Sequence, residues 1–147
     1  MNSYSQQVIT YQTASTLIEA AIIHAESNEW TVAVVVLDPD GHVVASARMN
    51  GVSPSILDFA ADKAYTAALG KSSYAMYERM HSTSVLELGL VNRPRLCVWE
   101  GGLPIYEAQP DDGKTVLIGA IGVSGAEGPD DVSCAEHALQ TAGLKYV

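Results

Sequence analysis

The sequence predicts an α+β fold in which helices pack on one five-stranded antiparallel sheet. Three observations lead there. Thr31–Leu37, TVAVVVL, is a continuous β-branched run of the kind found in strands buried on both faces. Asp38-Pro39-Asp40-Gly41 follows, in which Pro presets φ, Asp caps and Gly takes positive φ, so His42–Arg48 returns as the antiparallel partner. Finally, no linker, repeat or low-complexity stretch divides the 147 residues, and that length suits one domain spanning 1–147.

The other elements follow in order. Residues 1–12 read as a short tail or an edge strand. A first helix is expected to be capped by Thr13 or Ser15 and to reach about Ser27, with Leu17, Ile18, Ala21, Ile22 and Ala25 on one stripe. Ile23 lies on the opposite face beside Ala20, which points to a second covered surface such as a subunit contact. After the hairpin, the cationic loop Arg48-Met49-Asn50-Gly51 enters a helix with apolar Ile56, Phe59, Ala60, Ala64 and Ala67, ending at Gly70 as C-cap. Ser72 to about Met80 reads as a further helix, and 81–95 as a short helix and a loop closing at Arg93-Pro94. Leu96–Trp99 and Leu103–Glu107 are expected strands joined at Gly101-Gly102, and Thr115–Val123 is expected to be a central strand. Asp130 or Asp131 is expected to cap a last helix reaching about Ala142.

Composition narrows the function. Hydrophobic content of 48% with 17% charge is that of a globular chain. A net charge of −9 repels phosphate backbones, so a nucleic-acid partner is not expected. No run approaches the ~18 apolar residues of a membrane span, and MNSYSQQVIT lacks the basic and apolar regions of a signal peptide. Cys97 and Cys134 are too few for a disulfide scaffold and have no metal spacing, so a cytoplasmic location is expected.

The chemistry centres on Lys63. At roughly 100° per residue it falls inside the apolar stripe of its helix, where a lysine must snorkel, pair, or face a pocket. Two readings are open. Arg48 and Lys63 can form a cationic pocket for a carboxylate, with Lys63 alternatively a base of depressed pKa; or Lys63 is a buried structural lysine paired with an acid or with orphan carbonyls. Glu100, just before Gly101-Gly102, is a candidate loop acid near the same pocket. The glycines of GAIGVSG, Gly119–Gly125, mark close backbone approach; neither a Walker loop nor a dinucleotide fingerprint is present. Ser124 lacks the GxSxG elbow of a serine hydrolase. The four histidines show no HxH or HExxH pairing, so no dedicated zinc site is expected; His24, at the border of the first stripe, is either a half-exposed border residue or one that faces an interface or binds an iron axially.

Together these pieces resemble the GlcG/HbpS family of small heme-binding proteins. The resemblance spans nearly the whole chain and is carried by Arg48-Met49 with Gly51, Ser55, Lys63-Ala64 with Thr66-Ala67, Gly101-Gly102 with Pro104-Ile105, GAIGVSG, and Asp131, Cys134 and Ala135. The chain departs from the family pattern at Asn50, commonly Asp, and at Glu100, usually apolar or small. The resemblance implies a profilin-like α/β/α sandwich assembled into tetramers or octamers, with heme bound in some members. The expected function is a small-ligand-binding protein holding heme or another carboxylate-bearing ligand with Arg48, Met49, Gly51, Lys63, Thr66, Gly101, Gly102, Pro104, Ser124 and Gly125. The alternative is a cofactor-independent isomerase, lyase or decarboxylase in which Arg48 orients a carboxylate, Lys63 is the base and Glu100 shuttles a proton.

Overall fold

Ala33–Leu37 forms strand β1 with every residue buried, as an unbroken apolar run requires of a strand covered on both faces. This computed structural model describes residues 1–147. The side chains of β1 divide by the strand's period of two. Val34 and Val36 meet one layer with α1 (Tyr11–Ser27) and α5 (Gly128–Thr141), while Ala33, Val35 and Leu37 meet α2 (Pro54–Ala67) on the opposite face.

The sheet is antiparallel with the order β2-β1-β4-β3, where β2 is Val43–Arg48, β3 Gly102–Ala108 and β4 Thr115–Ser124. The β1–β2 turn forms as expected: Asp38 Oδ1 accepts from the N–H groups of Asp40 and His42, both at 2.9 Å, and Gly41 has φ +89°. Four strands form, not five. Leu96–Trp99 is a loop, because side chains claim its backbone: Cys97 N–H donates to Thr66 Oγ1 at 2.8 Å, and Trp99 O accepts from Ser73 Oγ at 2.6 Å. Residues 1–9 form no edge strand, although Ile9 is buried and its N–H reaches Ile118 O at 2.9 Å.

Helix ends differ from expectation in instructive ways. Thr10, not Thr13 or Ser15, caps α1, accepting from Thr13 N–H. Helix α2 ends at Ala67 with Ala68 as C-cap, and Gly70 turns the chain beyond it at φ +104°. Asp130 and Asp131 do not cap α5; they lie in its first turn, because the helix starts at Gly128 behind the N-cap Glu127, with Pro129, which has no N–H to satisfy, at its second position. Ser72 caps α3 (Ser73–Met80) as expected, and α4 (Ser84–Leu90) is the short helix of the 81–95 stretch.

Two features position the site. The first is the seating of α2 on the sheet: a Cβ on Gly122 would stand 1.9 Å from Ala60 O, and one on Gly102 2.2 Å from Lys63 O. The helix therefore rests on bare strand backbone at both glycines. The second is the outer edge of β3, whose alternate outward positions offer no free donor. Gly102 N–H donates to Ser73 Oγ, Pro104 has none, and Tyr106 N–H pairs with Lys145 O at 2.7 Å.

Candidate functional site

From its place in the α2 stripe, Lys63 is only 3% exposed. Its ammonium donates to Val123 O at 3.0 Å and to Asp131 Oδ2 at 3.1 Å. Asp131 is equally buried and uses its other oxygen to accept from Ala126 N–H at 3.0 Å, fixing the Gly125–Glu127 loop against α5. Burial pushes the Asp131 carboxyl above its ordinary value, with the Lys63 charge and the Ala126 N–H opposing. Of the two readings open from sequence, the paired lysine is the arrangement present, and every buried side-chain nitrogen or oxygen has a hydrogen-bond partner.

The glycine turn closes over this pair. Gly101 has φ +128°, and a Cβ there would lie 3.1 Å from both Lys63 Nζ and Asp131 Cβ and 2.3 Å from Val123 O. Gly101 O in turn accepts from Val123 N–H. Thus Lys63, the Gly101-Gly102 turn and the end of β4 converge. Ser73 locks the turn from outside: its fully buried hydroxyl donates to Trp99 O and accepts from Gly102 N–H at 3.0 Å.

Outside the turn lies a cleft of about 720 Å³. The start of α3 (Ser72–Ala75) forms one wall, Glu100–Leu103 the floor, and Val132 and Glu136 of α5 the other wall, with Tyr106 and Tyr146 at one end. Lys71 is the lone cation lining it. Tyr106 donates its hydroxyl to Gly70 O at 2.6 Å, and Tyr146 accepts from Gln140 Nε2.

Among the residues singled out from sequence, Glu100, Gly101 and Gly102 line the cleft. Lys63 sits behind Gly101, held by Asp131. Arg48 stands elsewhere: it pairs with Ala33, which pairs with Ser124, so it lies two strand spacings, about 10 Å, from β4 on the far edge of the sheet. There it is exposed and its Nη1 donates to Val52 O, holding its own loop. The expected Arg48–Lys63 cationic pocket is therefore not assembled within this chain. Met49 packs against both core layers, and its sulfur accepts from Val32 N–H. Gly51 turns the loop at φ +84° in open space. Thr66 spends its hydroxyl on Asp62 O and Cys97 N–H. Pro104 is buried in β3 opposite Ala120, while Ser124 ends β4 and Gly125 opens the loop after it, a Cβ on Gly125 meeting Thr31 O at 2.6 Å.

His24 is half-buried between α1 and α5. Its Nε2 is 3.0 Å from Ser133 Oγ and its ring stacks on His137 at 4.4 Å, so it is not among the cleft residues. Desolvation, then His137, lowers its pKa, which favours the neutral imidazole.

Asp131 and Ser73 are the site residues that sequence reasoning passed over. Asp131 left a signal: it precedes Cys134, Ala135 and Ala138 by three, four and seven residues, so an acid lies on the apolar stripe of α5 as Lys63 does on that of α2. Ser73 left none, since Ser72 beside it accounts for the cap.

The thiols are chemically quiet. Burial, reinforced by Asp131, pushes Cys134 up to about 12, and burial raises Cys97. At pH 8 only about one Cys134 in ten thousand is a thiolate. Iodoacetamide is therefore expected to leave Cys134 unlabelled in the folded protein and to label both cysteines in denaturant, read by intact mass. Native labelling of Cys134 at the denatured rate would refute its burial.

A family model described as "Haem degrading protein HbpS-like" matches residues 9–140. GlcG of Escherichia coli K12 is 36% identical over 117 residues, covering 80% of this chain and 81% of GlcG. Among solved structures, Klebsiella pneumoniae ORFY is similar with a TM-score of 0.82 at 27% identity, covering 95% of this chain and 94% of ORFY. The PduOC:heme complex has a TM-score of 0.81 at 21% identity, covering 95% and 98%, a likeness of fold.

Proposed function

The chain belongs to the HbpS-like family, and from that membership we propose that it binds a small, flat, largely apolar ligand in the cleft between α3, the Glu100–Leu103 floor and α5. The observation that carries this reading is the cleft itself. Its floor, which includes Leu103, is held rigid by a buried ion pair beneath and Ser73 beside, its walls offer Tyr74 and Val132, and Tyr106 and Tyr146 close one end.

Heme is the named candidate, supported by the family description and by the heme bound to the structural relative PduOC. The residues fit it in part. Aromatic and aliphatic walls suit a porphyrin face, and Lys71 suits one carboxylate. The iron would find oxygen donors, Tyr74 foremost, because no histidine lines the cleft. Lys63 and Asp131 act here as positioning residues beneath the floor. Family members led us to expect tetramers or octamers, and self-association belongs to this reading.

A second reading, a cofactor-independent enzyme, draws on one observation: Glu100 lines the cleft beside the glycine turn and forms no ion pair.

Titration with hemin tests the first reading. A shifted Soret band saturating at one heme per chain, and weakened at least tenfold by Tyr74→Ala with Lys71→Ala, is the expected result. No shift at stoichiometric addition removes heme. A shift that survives both substitutions moves its site away from the cleft.

A further inference from the structure

The charged side chains lining the cleft are unevenly placed. Lys71 follows Gly70, whose carbonyl accepts from the Tyr106 hydroxyl, so Lys71 belongs to the tyrosine end. Glu136 belongs there too, one turn before Gln140, whose amide donates to Tyr146. These two charges offset one another from opposite walls, and the Lys63–Asp131 pair under the floor is neutral as a whole. Glu100 is left over. Its side chain lies against the first residue of α5: a Cβ on Gly128 would stand 3.2 Å from Glu100 Cβ and 3.4 Å from its Oε2. Gly128 is about 12 Å along α5 from Glu136 at 1.5 Å per residue, so Glu100 marks the other end of the cleft. It is half-buried, lies in no ion pair, and has no cation of the lining beside it.

We propose that the cleft takes a flat apolar ligand carrying a cationic nitrogen, an amine or ammonium group, which meets the Glu100 carboxylate. This rests on the cleft being the ligand site and narrows the class of ligand it holds; it does not depend on heme. A carboxylate set in a concave, partly apolar wall is less screened than one on an open surface, and an ammonium offers it charge-assisted hydrogen bonds. Tyr74 on the α3 wall adds a ring face of the kind that attracts cations. The ligand body then lies between Leu103 of the floor and Val132 of α5. Gly128 contributes by what it lacks, since any side chain there would push Glu100 out of its place. An acidic group brought to the same end would instead set two like charges together, which selects against it.

Two probes that share an indole ring and differ in the charge of the side arm, tryptamine and indole-3-propionate, test this. Each is titrated into the full chain, and backbone amide shifts of Gly101 and Gly102 report both affinity and place. Tryptamine is expected to bind about tenfold more tightly than indole-3-propionate, and Glu100→Gln to remove most of that preference. Glu19→Gln, the same loss of charge at an exposed position of α1 outside the cleft, is expected to leave the preference as it was. Equal binding of the two probes, or tighter binding of the acid, overturns the proposal. So does a preference that survives Glu100→Gln, or one that Glu19→Gln lowers as much, which would assign it to net charge. In those outcomes shifts that stay on the floor leave the cleft standing as the ligand site. Failure of both probes to shift the floor amides removes the cleft reading and this inference with it. Should Glu100→Gln not fold, Gly128→Ala takes its place with the same expectation, because its methyl displaces the Glu100 side chain.

Discussion

Replacing Asp131 by alanine is expected to destabilise the protein by about 3–5 kcal/mol, because the Lys63 ammonium then remains buried with only the Val123 carbonyl for company. For a chain of 147 residues this corresponds to a fall in Tm on the order of 10 °C. Both side chains are 3% exposed, so water does little to screen the orphaned charge. The double replacement Lys63→Met with Asp131→Leu is expected to recover most of the loss, since it removes both desolvation costs together. Denaturant unfolding followed by circular dichroism measures both. A single substitution costing under about 1 kcal/mol would mean that water reaches the pair in solution.

Gly122→Ala is expected to cost about 3 kcal/mol or more, the upper range for overpacking, because the added methyl meets the carbonyl of Ala60 at 1.9 Å and that atom is helix backbone. Relief requires lifting α2 off β4, which also moves Lys63. Gly89→Ala provides the contrast. Gly89 lies within α4 with nothing within 4 Å of an added Cβ, so the change is expected to stabilise by up to about 1 kcal/mol through helix propensity. The two variants should therefore differ in unfolding free energy by about 4 kcal/mol, the sum of those magnitudes. Equal stabilities would show that α2 does not sit on bare strand.

Much of the fold was legible because its local codes are strong. The β-branched run of β1 and the Asp38–Gly41 turn place the hairpin without reference to anything distant. The apolar stripes place α1 and α2, the Asp130-Asp131 pair places α5 to within a turn, and Ser72 places α3. The misses share one cause. Leu96–Trp99 has strand-like composition, but Thr66 and Ser73, about 30 residues away, take its backbone hydrogen bonds. Asp131 reads locally as a helix cap, but the helix starts earlier, at Gly128 behind Glu127, and Asp131 is buried against Lys63 instead.

Lys63 shows where the division falls. The sequence by itself determined that this lysine lies on an apolar stripe and must answer for its charge, since helical periodicity fixes which residues share a face. It also determined that Gly122, among the glycines of Gly119–Gly125, lies where backbone comes close. Only the tertiary structure decided that the answering group is Asp131, 68 residues away on a helix of the opposite layer, and that Arg48 stands on the far edge of the sheet. Spacing along the chain sets directions within one element. Which elements then meet is set by sheet order and helix seating, and those follow from the packing of the whole core.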